Sequence, residues 1–371
     1  MGDPQTGSIT EINNDSWQAQ LEEAVSLLKS GECVGMPTET VYGLAADALN
    51  PRAVARVFET KRRPAFDPLI VHVSPEMDLS EWVKLNPNAR RLIDHFWPGP
   101  LTLLVEKRSI ISDLVTSGHD TVALRCPDHQ VAQSLIRAFG GPLVAPSANL
   151  FGQLSPTTAD AVRGGLGESV RCVLDGGRCA IGLESTIVNT TLPPPRLPLL
   201  RFGGVAPESL EALGFELEYP TPIIGQAPGT LKNHYAPRIP LYLWDPIGNE
   251  PRSVGKSLNS NDDIDSMIEI PLSQLAWLGW RQGNREFGGS FILSERGDAQ
   301  EAAYEVFALL RQISDRGFQG IIAEVPPLEG LGRAISDRLK RGASGYARKI
   351  APSKTGVSDR WLIPNSNGSA Q

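Results

Sequence analysis

The amino-acid sequence predicts a two-domain protein of the α/β class. Its 371 residues exceed the ~250–300 that one hydrophobic core usually serves, which favours two domains. Helix and strand patterns alternate over residues 1–214, so we expect a mixed, twisted sheet covered by helices there. The proline-rich residues 215–237 predict a linker. Further strand and helix patterns over residues 238–371 predict a second, smaller α/β domain.

The helices of the first domain have clear start signals. DSWQAQLEEAVSLLKSG has Asp15 as its N-cap and a stop at Gly31. NPRAVARVFETK has Asn50 as its cap and Pro51 at the first helical position, and NPNARRLIDHF repeats this start at Asn86. The apolar run LIVHV, bounded by prolines, is typical of a buried strand. Further strands are predicted in ECVGMP, LTLLVEK, TVALRCP, LVAPSAN, CVLDGG, STIVNTT and LPLLRFG, and further helices in DHQVAQSLIRAFG and APESLEALG.

The second domain shows a strand, a helix, a second strand and a helix that follows a glycine turn. These are IPLYLWDP, DAQEAAYEVFALLRQISDRG, GIIAEVPP and GLGRAISDRLKRGAS. The order predicts a small parallel, Rossmann-like sheet. Residues 246–290 are rich in Gly, Asn and Ser and give no assignable pattern, and we expect the tail after Lys354 to be frayed.

Charge and composition exclude several classes of protein. The net charge is −7, with 18 Lys+Arg against 22 Asp+Glu up to Val205 and 17 against 20 after it. Neither half is basic, so the charge gives no sign of nucleic-acid binding. The first residues lack a basic and an apolar segment, and no apolar run reaches the ~18 residues of a membrane span. We therefore expect no signal peptide and no membrane partner.

The cysteines favour a reducing compartment. Cys33, Cys126, Cys172 and Cys179 are scattered and form no C-x-x-C pair. Such thiols are typical of core residues in a cytoplasmic protein, and their spacing is not that of a metal site. We expect a cytoplasmic protein without a protein-held metal.

Three cations follow the second predicted helix at a chain reversal. Lys61 and Arg63 stand two residues apart, so both side chains can converge on one anion, whereas Arg62 is interpreted as a solvated neighbour. The alternative is a plain helix C-terminus, where cations interact well with the helix dipole.

Polar residues also follow several predicted strands. Arg125 ends an apolar strand, and a buried arginine needs a carboxylate or phosphate partner. His72 lies inside an apolar strand, where a histidine is more often a core residue than a functional one. Other hydroxyl, amide and guanidinium groups at strand ends are Thr38, Thr40, Ser147, Asn149, Ser155, Ser185 and Arg201. The set contains no activated nucleophile, which favours binding and charge neutralisation at a nucleotide phosphate.

Seven blocks in order carry a family resemblance: PTETVYGLAADA, KRRPAFDPLIVHV, WPGPLTLLV, TVALRCP, APSANLFGQLSPT, GLESTIVN and LLRFGG. Over roughly residues 15–213 the chain resembles the YrdC-like family. APGTLKNHYAP and GLGRAISDRLKRGAS resemble its two-domain branch, the threonylcarbamoyl-AMP synthases. The resemblance implies a nucleotidyltransferase that joins L-threonine, bicarbonate and ATP into threonylcarbamoyl-AMP and releases pyrophosphate. Mg²⁺ is then expected on the phosphates, and a partner transferase carries the group to tRNA.

The resemblance also implies the site. Residues that match the family's K-x-R…S-x-N signature, expected as the catalytic set around the ATP phosphates, are Lys61, Arg63, Ser147 and Asn149. Further positions expected near the nucleotide are Asp67, Thr121, Ser155 and Arg201. Positions expected around threonine are Thr40, His72, Arg125, Ser185 and the backbone of Ala145.

Two motifs depart from the family pattern. RFGG at 201–204 replaces the more usual R-P-G, so we expect a looser loop after Arg201. APGTLKNHYAP lacks the usual S-P-G-M start but keeps HYAP. Because prolines stiffen this segment, we predict that residues 227–237 form a lid over the site, with His234 and Tyr235 facing the substrates.

Two other functions remain as alternatives at this point. One is an RNA-binding module without catalysis, which the charge distribution does not favour, although weak contact with tRNA is left open. The other is a carbamoyl-transfer accessory domain, but such relatives carry zinc-finger cysteines that this sequence lacks.

Overall fold

The computed structural model describes residues 15–219, 235–244, 267–350 and 360–364. The chain forms two compact units. The N-terminal unit comprises Met1–Phe151 and Ser155–Leu231, and the C-terminal unit comprises Gly152–Leu154 and Lys232–Gln371. Most of the predicted linker, residues 220–234, lies outside the described residues, so the boundaries at 214 and 237 stay predictions.

Helices alternate with strands along the described part of the N-terminal unit. The helices are α1 (Asp15–Lys29), α2 (Pro51–Lys61), α3 (Pro87–Phe96), α4 (Asp113–Thr116), α5 (Gln130–Phe139), α6 (Ala159–Leu166) and α7 (Pro207–Glu211). The strands are β1 (Val34–Met36), β2 (Gly43–Asp47), β3 (Ile70–His72), β4 (Val83–Lys84), β5 (Leu101–Lys107), β6 (Thr121–Arg125), β7 (Leu143–Val144), β8 (Cys172–Val173), β9 (Thr186–Asn189), β10 (Arg196–Arg201) and β11 (Glu216–Glu218).

The predicted caps Asn50 and Asn86 are confirmed, whereas Asp15, also predicted as a cap, is the first helical residue of α1. The Asn50 side chain accepts hydrogen bonds from the backbone N–H groups of Arg52 and Ala53, at 3.0 and 3.4 Å. Asn86 accepts one from the Ala89 N–H at 2.8 Å. Each cap satisfies donors that the first helical turn leaves unpaired and contributes about 1 kcal/mol. Helix α2 therefore ends at a fixed place, with Lys61 in its last turn.

The eleven strands form one mixed sheet in the order β11-β10-β9-β5-β6-β3-β7-β2-β1-β8, with β4 paired to β5. β3 runs parallel to β6, and β5 runs parallel to β9, while β5 and β6 are antiparallel. One face of the central strands packs into the main hydrophobic core through residues such as Val71, Leu103 and Leu124. The mixed sheet that the sequence predicted is confirmed.

The described elements of the C-terminal unit are β12 (Leu241–Trp244), β13 (Met267–Glu269), β14 (Leu275–Gly279), β15 (Gly289–Ile292), α8 (Ala299–Ser314), β16 (Gly320–Glu324), α9 (Gly332–Gly342), β17 (Gly345–Tyr346), β18 (Arg348–Ile350) and β19 (Arg360–Pro364). Five of these strands form a parallel sheet with the order β15-β14-β16-β12-β17. The predicted smaller α/β domain with a parallel sheet is confirmed.

The expectation of a frayed tail is wrong for residues 360–364. They form β19, which pairs with both β13 and β18 in a three-stranded antiparallel sheet. Trp361 of this strand is 2% exposed and contacts Trp244, Trp277 and Phe287. Because this aromatic cluster removes a large apolar area from water, the strand is held in place although it lies close to the end of the chain.

The described residues contain neither a membrane-spanning helix nor a cluster of metal ligands. No described helix is both long enough and apolar enough to cross a membrane. The same residues contain no group of three or more His, Cys, Asp or Glu side chains arranged to hold a metal ion. All four cysteines are buried and free.

Candidate active site

A row of side chains crosses the face of the sheet that is turned away from the main core. His72 and Arg125 are the last residues of the parallel strands β3 and β6 and stand side by side. The register that pairs Leu103 with Leu124 brings Thr102 opposite Arg125. Ile187 lies next to Thr102, and Arg201 lies next to Ile187. We call His72, Arg125, Thr102 and Arg201 the polar row; the apolar Ile187 lies between Thr102 and Arg201.

An apolar floor adjoins the polar row. Ile70, Ala123, Leu104 and Ile187 form a small buried cluster, with Leu200 packed against it. Side chains alternate between the two faces of a strand, so residues two apart, such as Ile70 and His72, share one face. A site with an apolar base and a few fixed polar groups is typical of small-molecule binding.

Arg125 is the centre of the polar row. Its Nη1 donates to Thr40 Oγ1 at 2.9 Å, and its Nε donates to the Gly99 carbonyl at 3.3 Å. Its Nη2 donates to Glu39 Oε1 at 2.6 Å, in an ion pair whose side chains are 4% and 9% exposed. Thr40 in turn shares a 2.8 Å hydrogen bond with Thr38. Each terminal nitrogen of a guanidinium carries a second N–H, so Arg125 still has donors for a ligand.

Glu39 was missed by the sequence analysis. It stands between two threonines that we selected, in PTETVYG, but its charge was assigned no role. Its partner Arg125 is 86 residues away. The signal that could have found it is the requirement for a carboxylate partner, which we recognised for the buried Arg125.

Arg201 and Ser185 form a second arrangement at the other end of the polar row. The Nε and Nη2 of Arg201 both donate to the Ser185 carbonyl, at 3.0 and 2.9 Å. Nη2 also donates to Ser185 Oγ at 3.0 Å, and this hydroxyl lies 2.7 Å from Thr102 Oγ1. The two residues, which we predicted for different substrates, are therefore in direct contact.

The loop after Arg201 packs tightly at Gly203, while the expectation that Phe202 in place of proline makes the loop looser stays a prediction. A Cβ at Gly203 would meet the Glu184 carbonyl oxygen at 2.3 Å and the backbone nitrogen of Thr186 at 2.4 Å. Gly204 N–H donates to the Glu184 carbonyl at 3.0 Å. Gly203 matches the glycine of R-P-G, whereas Phe202 stands in the place of proline, and this glycine lets the loop pack directly on the backbone beside Ser185.

Replacing Gly203 by alanine is expected to destabilise the N-terminal unit by about 1–3 kcal/mol, since backbone must move to admit the methyl group. The same shift moves the Ser185 carbonyl away from Arg201, so we expect a ligand of the polar row to bind more weakly. Denaturant unfolding measures the first effect.

Gly164→Ala in α6 is the control for the Gly203 substitution. A Cβ there has nothing within 4 Å, and alanine is expected to stabilise the helix by about 0.5–1 kcal/mol. Equal effects of the two substitutions would contradict the tight packing inferred at Gly203.

Lys61 is 1% exposed and organises the loop after β7. Its Nζ donates to the carbonyls of Ser147 and Asn149, at 2.5 and 2.6 Å. Burial, and next the nearby Arg63, hold the pKa of Lys61 well below its usual value. A bound anion would favour the charged form of Lys61, and the ammonium then carries three N–H groups, so one donor remains beyond these two hydrogen bonds. The predicted K-x-R and S-x-N residues are thus brought together at Lys61.

Arg63 lies on the same turn and is held by the loop that follows it. Its Nε and Nη2 donate to the carbonyls of Asp67 and Pro68, at 3.0 and 2.8 Å. Nη2 also lies 2.8 Å from Asp67 Oδ2, in a pair whose side chains are 3% and 1% exposed. Arg62 between the two buried cations is exposed. Asp67, which we predicted near the nucleotide, contacts Arg63.

The loop from Ala145 to Asn149 joins this cation pair to the polar row. The Ala145 N–H donates to the Ile70 carbonyl of β3 at 3.0 Å, two residues before His72. On its other side the Ala148 N–H donates to the Tyr42 carbonyl at 2.8 Å, in the segment that contains Thr40. Ser147 is half-buried and Asn149 is 5% exposed.

Ser155 and Thr121 lie apart from these contacts. Ser155 is fully buried and its Oγ donates to Glu184 Oε1 at 2.5 Å, one residue before Ser185. Thr121 begins β6, at the opposite end from Arg125 and on the same face. Four residues of extended strand span about 13 Å, so Thr121 can only reach a distant part of a long ligand.

His72 is a buried, uncharged histidine. It is 2% exposed, and its Nδ1 lies 3.3 Å from the Ile70 carbonyl. Burial, together with the positive charge of Arg125, lowers the pKa of His72 to about 3. The neutral imidazole can donate or accept one hydrogen bond at each nitrogen, which suits a hydroxyl or an amine of a ligand.

The low pKa of His72 makes stability sensitive to acid. The unfolded chain takes up a proton at His72 near pH 6.5, whereas the folded chain resists protonation down to about pH 3. The free energy of unfolding should therefore fall by up to about 1.4 kcal/mol per pH unit below pH ~6.5. His72→Asn should remove this contribution, which denaturant unfolding at several pH values would measure. His119→Asn, at an exposed histidine, is the control; parallel curves for the His72 variant and the unchanged protein would contradict the account.

The predicted lid lies largely outside the described residues, which exclude His234 and residues 227–233. Tyr235 belongs to the C-terminal unit and is 1% exposed. Its ring stacks on Phe307 at 5.7 Å between centroids, and the Arg338 guanidinium lies 4.9 Å from its centroid. The role of His234 and Tyr235 as a lid stays a prediction.

Two family models match successive parts of the chain. The model described as "Telomere recombination" matches residues 26–203. The model described as "Threonylcarbamoyl-AMP synthase, C-terminal domain" matches residues 205–344. Together they cover both α/β units and support the predicted YrdC-like fold of the N-terminal domain.

Similar proteins match this chain over most of their own length and most of its length. Threonylcarbamoyl-AMP synthase of Pyrococcus abyssi is 35% identical over 339 residues, covering 90% of this chain and 95% of that protein. The Bacillus subtilis protein of the same name is also 35% identical, over 88% of this chain and 93% of its own length. A crystal structure of P. abyssi Sua5 complexed with L-threonine superposes with a TM-score of 0.75 at 33% identity, covering 88% of this chain and 95% of that one.

These relatives exceed 30% identity over nearly their whole lengths, and their architecture is that of the two units described above. The seven blocks that carry the resemblance lie on the strands and loops that build the polar row and the cation pair. The chain belongs to the threonylcarbamoyl-AMP synthase family.

Proposed function

We propose that this protein joins L-threonine, bicarbonate and ATP into threonylcarbamoyl-AMP and releases pyrophosphate. The observation that carries the proposal is the arrangement of two buried cationic centres on connected segments. Arg125 with Thr40 forms one, and Lys61 with Arg63 forms the other. The loop from Ala145 to Asn149 bonds to both Lys61 and β3. An amino acid and a triphosphate each need such a centre.

The threonine subsite is assigned to the middle of the polar row. Arg125 has N–H groups that are not used in its hydrogen bonds to the protein, and these would bind the carboxylate of the amino acid. Thr40, the neutral His72 and Ser185 offer hydrogen bonds to its hydroxyl and amine, and the Ala145 backbone borders the same strand end. A site built to bond a hydroxyl rejects analogues that lack it, so we expect preference for threonine over valine.

The nucleotide subsite is assigned to the cation pair and its surroundings. Lys61 and Arg63 would contact the phosphates with Ser147 and Asn149. Asp67 holds the Arg63 fork in place. Ser155, Arg201 and, at the far end of β6, Thr121 are assigned to the rest of the nucleotide. Mg²⁺ would be held by the phosphates of the nucleotide, since the described residues contain no cluster of acidic, His or Cys ligands for it, and it would supply neutralisation of their charge.

The reaction needs little covalent chemistry from the protein. Threonine's amine combines with bicarbonate to give a carbamate, and water leaves. A carbamate oxygen then bonds to the α-phosphorus of ATP while the bond from that phosphorus to the bridging oxygen breaks, and pyrophosphate leaves. Lys61 and Arg63 stabilise the charge on the departing phosphates. Burial excludes water from the mixed anhydride.

The product would be consumed by a separate transferase that moves the threonylcarbamoyl group to an adenosine of tRNA. The synthase itself then has no need to bind tRNA, which agrees with its net charge of −7. The alternative of an RNA-binding module without catalysis is not supported by the relatives, which are named as synthases.

Product formation tests the proposal. Purified protein is incubated with threonine, ¹³C-bicarbonate, ATP and Mg²⁺, and the adenylate is detected by mass spectrometry with pyrophosphate measured in parallel. We expect equal amounts of labelled threonylcarbamoyl-AMP and pyrophosphate, and neither when threonine is left out. Pyrophosphate release that does not depend on threonine would contradict the assigned reaction.

A further inference from the structure

Glu39 has a buried carboxylate oxygen that the protein leaves without a partner. Its Oε1 accepts the 2.6 Å hydrogen bond from Arg125, whereas Oε2 has no hydrogen-bond partner among the described residues. The residue is 7% exposed, so water gives little compensation. A buried acceptor of this kind costs free energy unless a ligand satisfies it.

The other buried acids in the described part of the chain are engaged elsewhere. Asp67 pairs with Arg63, and Glu184 accepts the hydrogen bond of Ser155. Of the three, Glu39 is the one bound to Arg125 and next to Thr40. Its second oxygen therefore lies beside the groups that we assign to threonine.

An α-amino acid carries its carboxylate and its ammonium on one carbon. A guanidinium and a carboxylate held side by side are the complement of that pair. Arg125 supplies the first and Glu39 the second, joined at 2.6 Å. An ammonium whose carboxylate is bound to Arg125 would meet the Glu39 carboxylate directly.

We propose that Glu39 is a catalytic residue that binds the ammonium of threonine through Oε2 and removes its proton before carbamate formation. This inference rests on the proposed function and adds a residue and a step to it. No role for Glu39 followed from the sequence motifs, in which it separates Thr38 and Thr40.

Glu39 Oε2 takes one proton from the ammonium, which leaves a neutral amine with a free electron pair. This pair forms the N–C bond to the bicarbonate carbon, the C–OH bond breaks, and the hydroxide leaves as water with a second proton from nitrogen. The product is the carbamate anion, and the proton on Glu39 passes to solvent before the next turnover. General-base catalysis of this kind contributes about 100- to 10,000-fold in rate.

The titratable groups around Glu39 do not change charge in the range of the test. Burial raises the pKa of the Cys126 and Cys179 thiols to about 12, and burial lowers the pKa of His129. The guanidinium of an arginine keeps its charge at these pH values. Between about pH 7 and pH 9, the group whose ionised fraction changes is therefore the α-amine of the substrate, whose pKa in a free amino acid lies above the ~8 of a peptide α-amino group.

Glu39→Gln tests the proposal, because glutamine keeps the shape and can still accept the Arg125 hydrogen bond. We expect kcat at about pH 7 to fall about 100-fold. At about pH 9 a far larger fraction of the amine is already deprotonated in solution than at pH 7, so the loss should shrink to about tenfold or less. Binding of a nonhydrolysable ATP analogue, measured by calorimetry, should be unchanged and shows that the variant is folded.

Glu76→Gln is the control, since it removes the acid of an exposed Glu–Arg ion pair with Arg137 and should leave both rates unchanged. Full activity of Glu39→Gln at about pH 7 would overturn the proposal. A loss of equal size at both pH values would also overturn it, because Glu39 would then only hold Arg125 in position. Failure of the unchanged protein to form threonylcarbamoyl-AMP would instead overturn the proposed function.

Discussion

Replacing Lys61 by alanine is expected to lower threonine-dependent pyrophosphate release about 100- to 1,000-fold, as the loss of a preorganised electrostatic contact does in other enzymes. The side chain is 1% exposed and bonds to the carbonyls of Ser147 and Asn149. Its loss removes a phosphate contact and releases the loop that carries the S-x-N residues. Arg63→Ala should act similarly, since Arg63 positions the turn through Asp67 and Pro68.

Stability must be separated from catalysis in these variants. Lys61→Ala removes the hydrogen bonds to the Ser147 and Asn149 carbonyls, although the Ser147 carbonyl keeps a 3.0 Å bond from the Asn149 N–H, and we expect a loss of stability of about 1–3 kcal/mol. Lys61→Met fills most of the same volume without the charge, and it should stay folded in thermal unfolding while remaining inactive. Activity of the Lys61→Met variant would contradict the assignment of Lys61 to the nucleotide site.

Arg62 provides the control within the same cluster. It is exposed and has a φ of 51°, in the left-handed region at the end of α2. Glycine adopts this left-handed conformation without strain. Arg62→Gly is therefore expected to raise the free energy of unfolding by about 1 kcal/mol without changing activity. Equal small losses from changes at all three cations would make the cluster a plain helix end.

Replacing Arg125 is expected to have the second large effect. Arg125→Lys keeps the charge, but an ammonium cannot form the planar fork that Thr40, Glu39 and a carboxylate share. We expect threonine affinity to weaken by about 2–5 kcal/mol, measured by calorimetry, while an ATP analogue binds as before. Unchanged threonine affinity would contradict the assignment of this subsite.

Arg125→Ala adds a defect in folding to the loss of binding. It leaves the Glu39 carboxylate buried and uncompensated, which costs about 3–5 kcal/mol of stability. The double variant Arg125→Met with Glu39→Gln removes both charges and should recover much of this loss in denaturant unfolding. It should not recover threonine binding, which separates the structural role of the pair from its role in the site.

Elements with strong local signals could be predicted from the sequence. The Asn-Pro starts of α2 and α3 fix these helices through side-chain caps, and α8 is amphipathic over its length. β2 was missed, because GLAAD contains small residues without polar alternation and is defined by its partners β1 and β7. β14 lies in the Gly-, Asn- and Ser-rich stretch and β15 begins at its end; β14 is defined by pairing with β16, and β15 by pairing with β14, rather than by local pattern.

The candidate site could be predicted as a set of residues but not as a set of contacts. The motifs supplied Lys61, Arg63, Arg125 and Arg201 because a buried cation at a strand or helix end needs an anion. The residues that stand beside Arg125 and Arg201 were not predictable, since the register of the sheet fixes them, whereas Arg63 pairs with Asp67 only four residues away. Thr102 is one example: it lies opposite Arg125 only because β5 and β6 pair antiparallel.

The most direct test of the account is a crystal structure with L-threonine and a nonhydrolysable ATP analogue bound together. The account predicts the threonine carboxylate within hydrogen-bond distance of Arg125, its ammonium at Glu39 Oε2, and the phosphates at Lys61 and Arg63. A structure in which either ligand occupies another surface, with the Arg125–Glu39 and Lys61–Ser147 contacts undisturbed, would contradict the assignment of this face of the sheet as the active site.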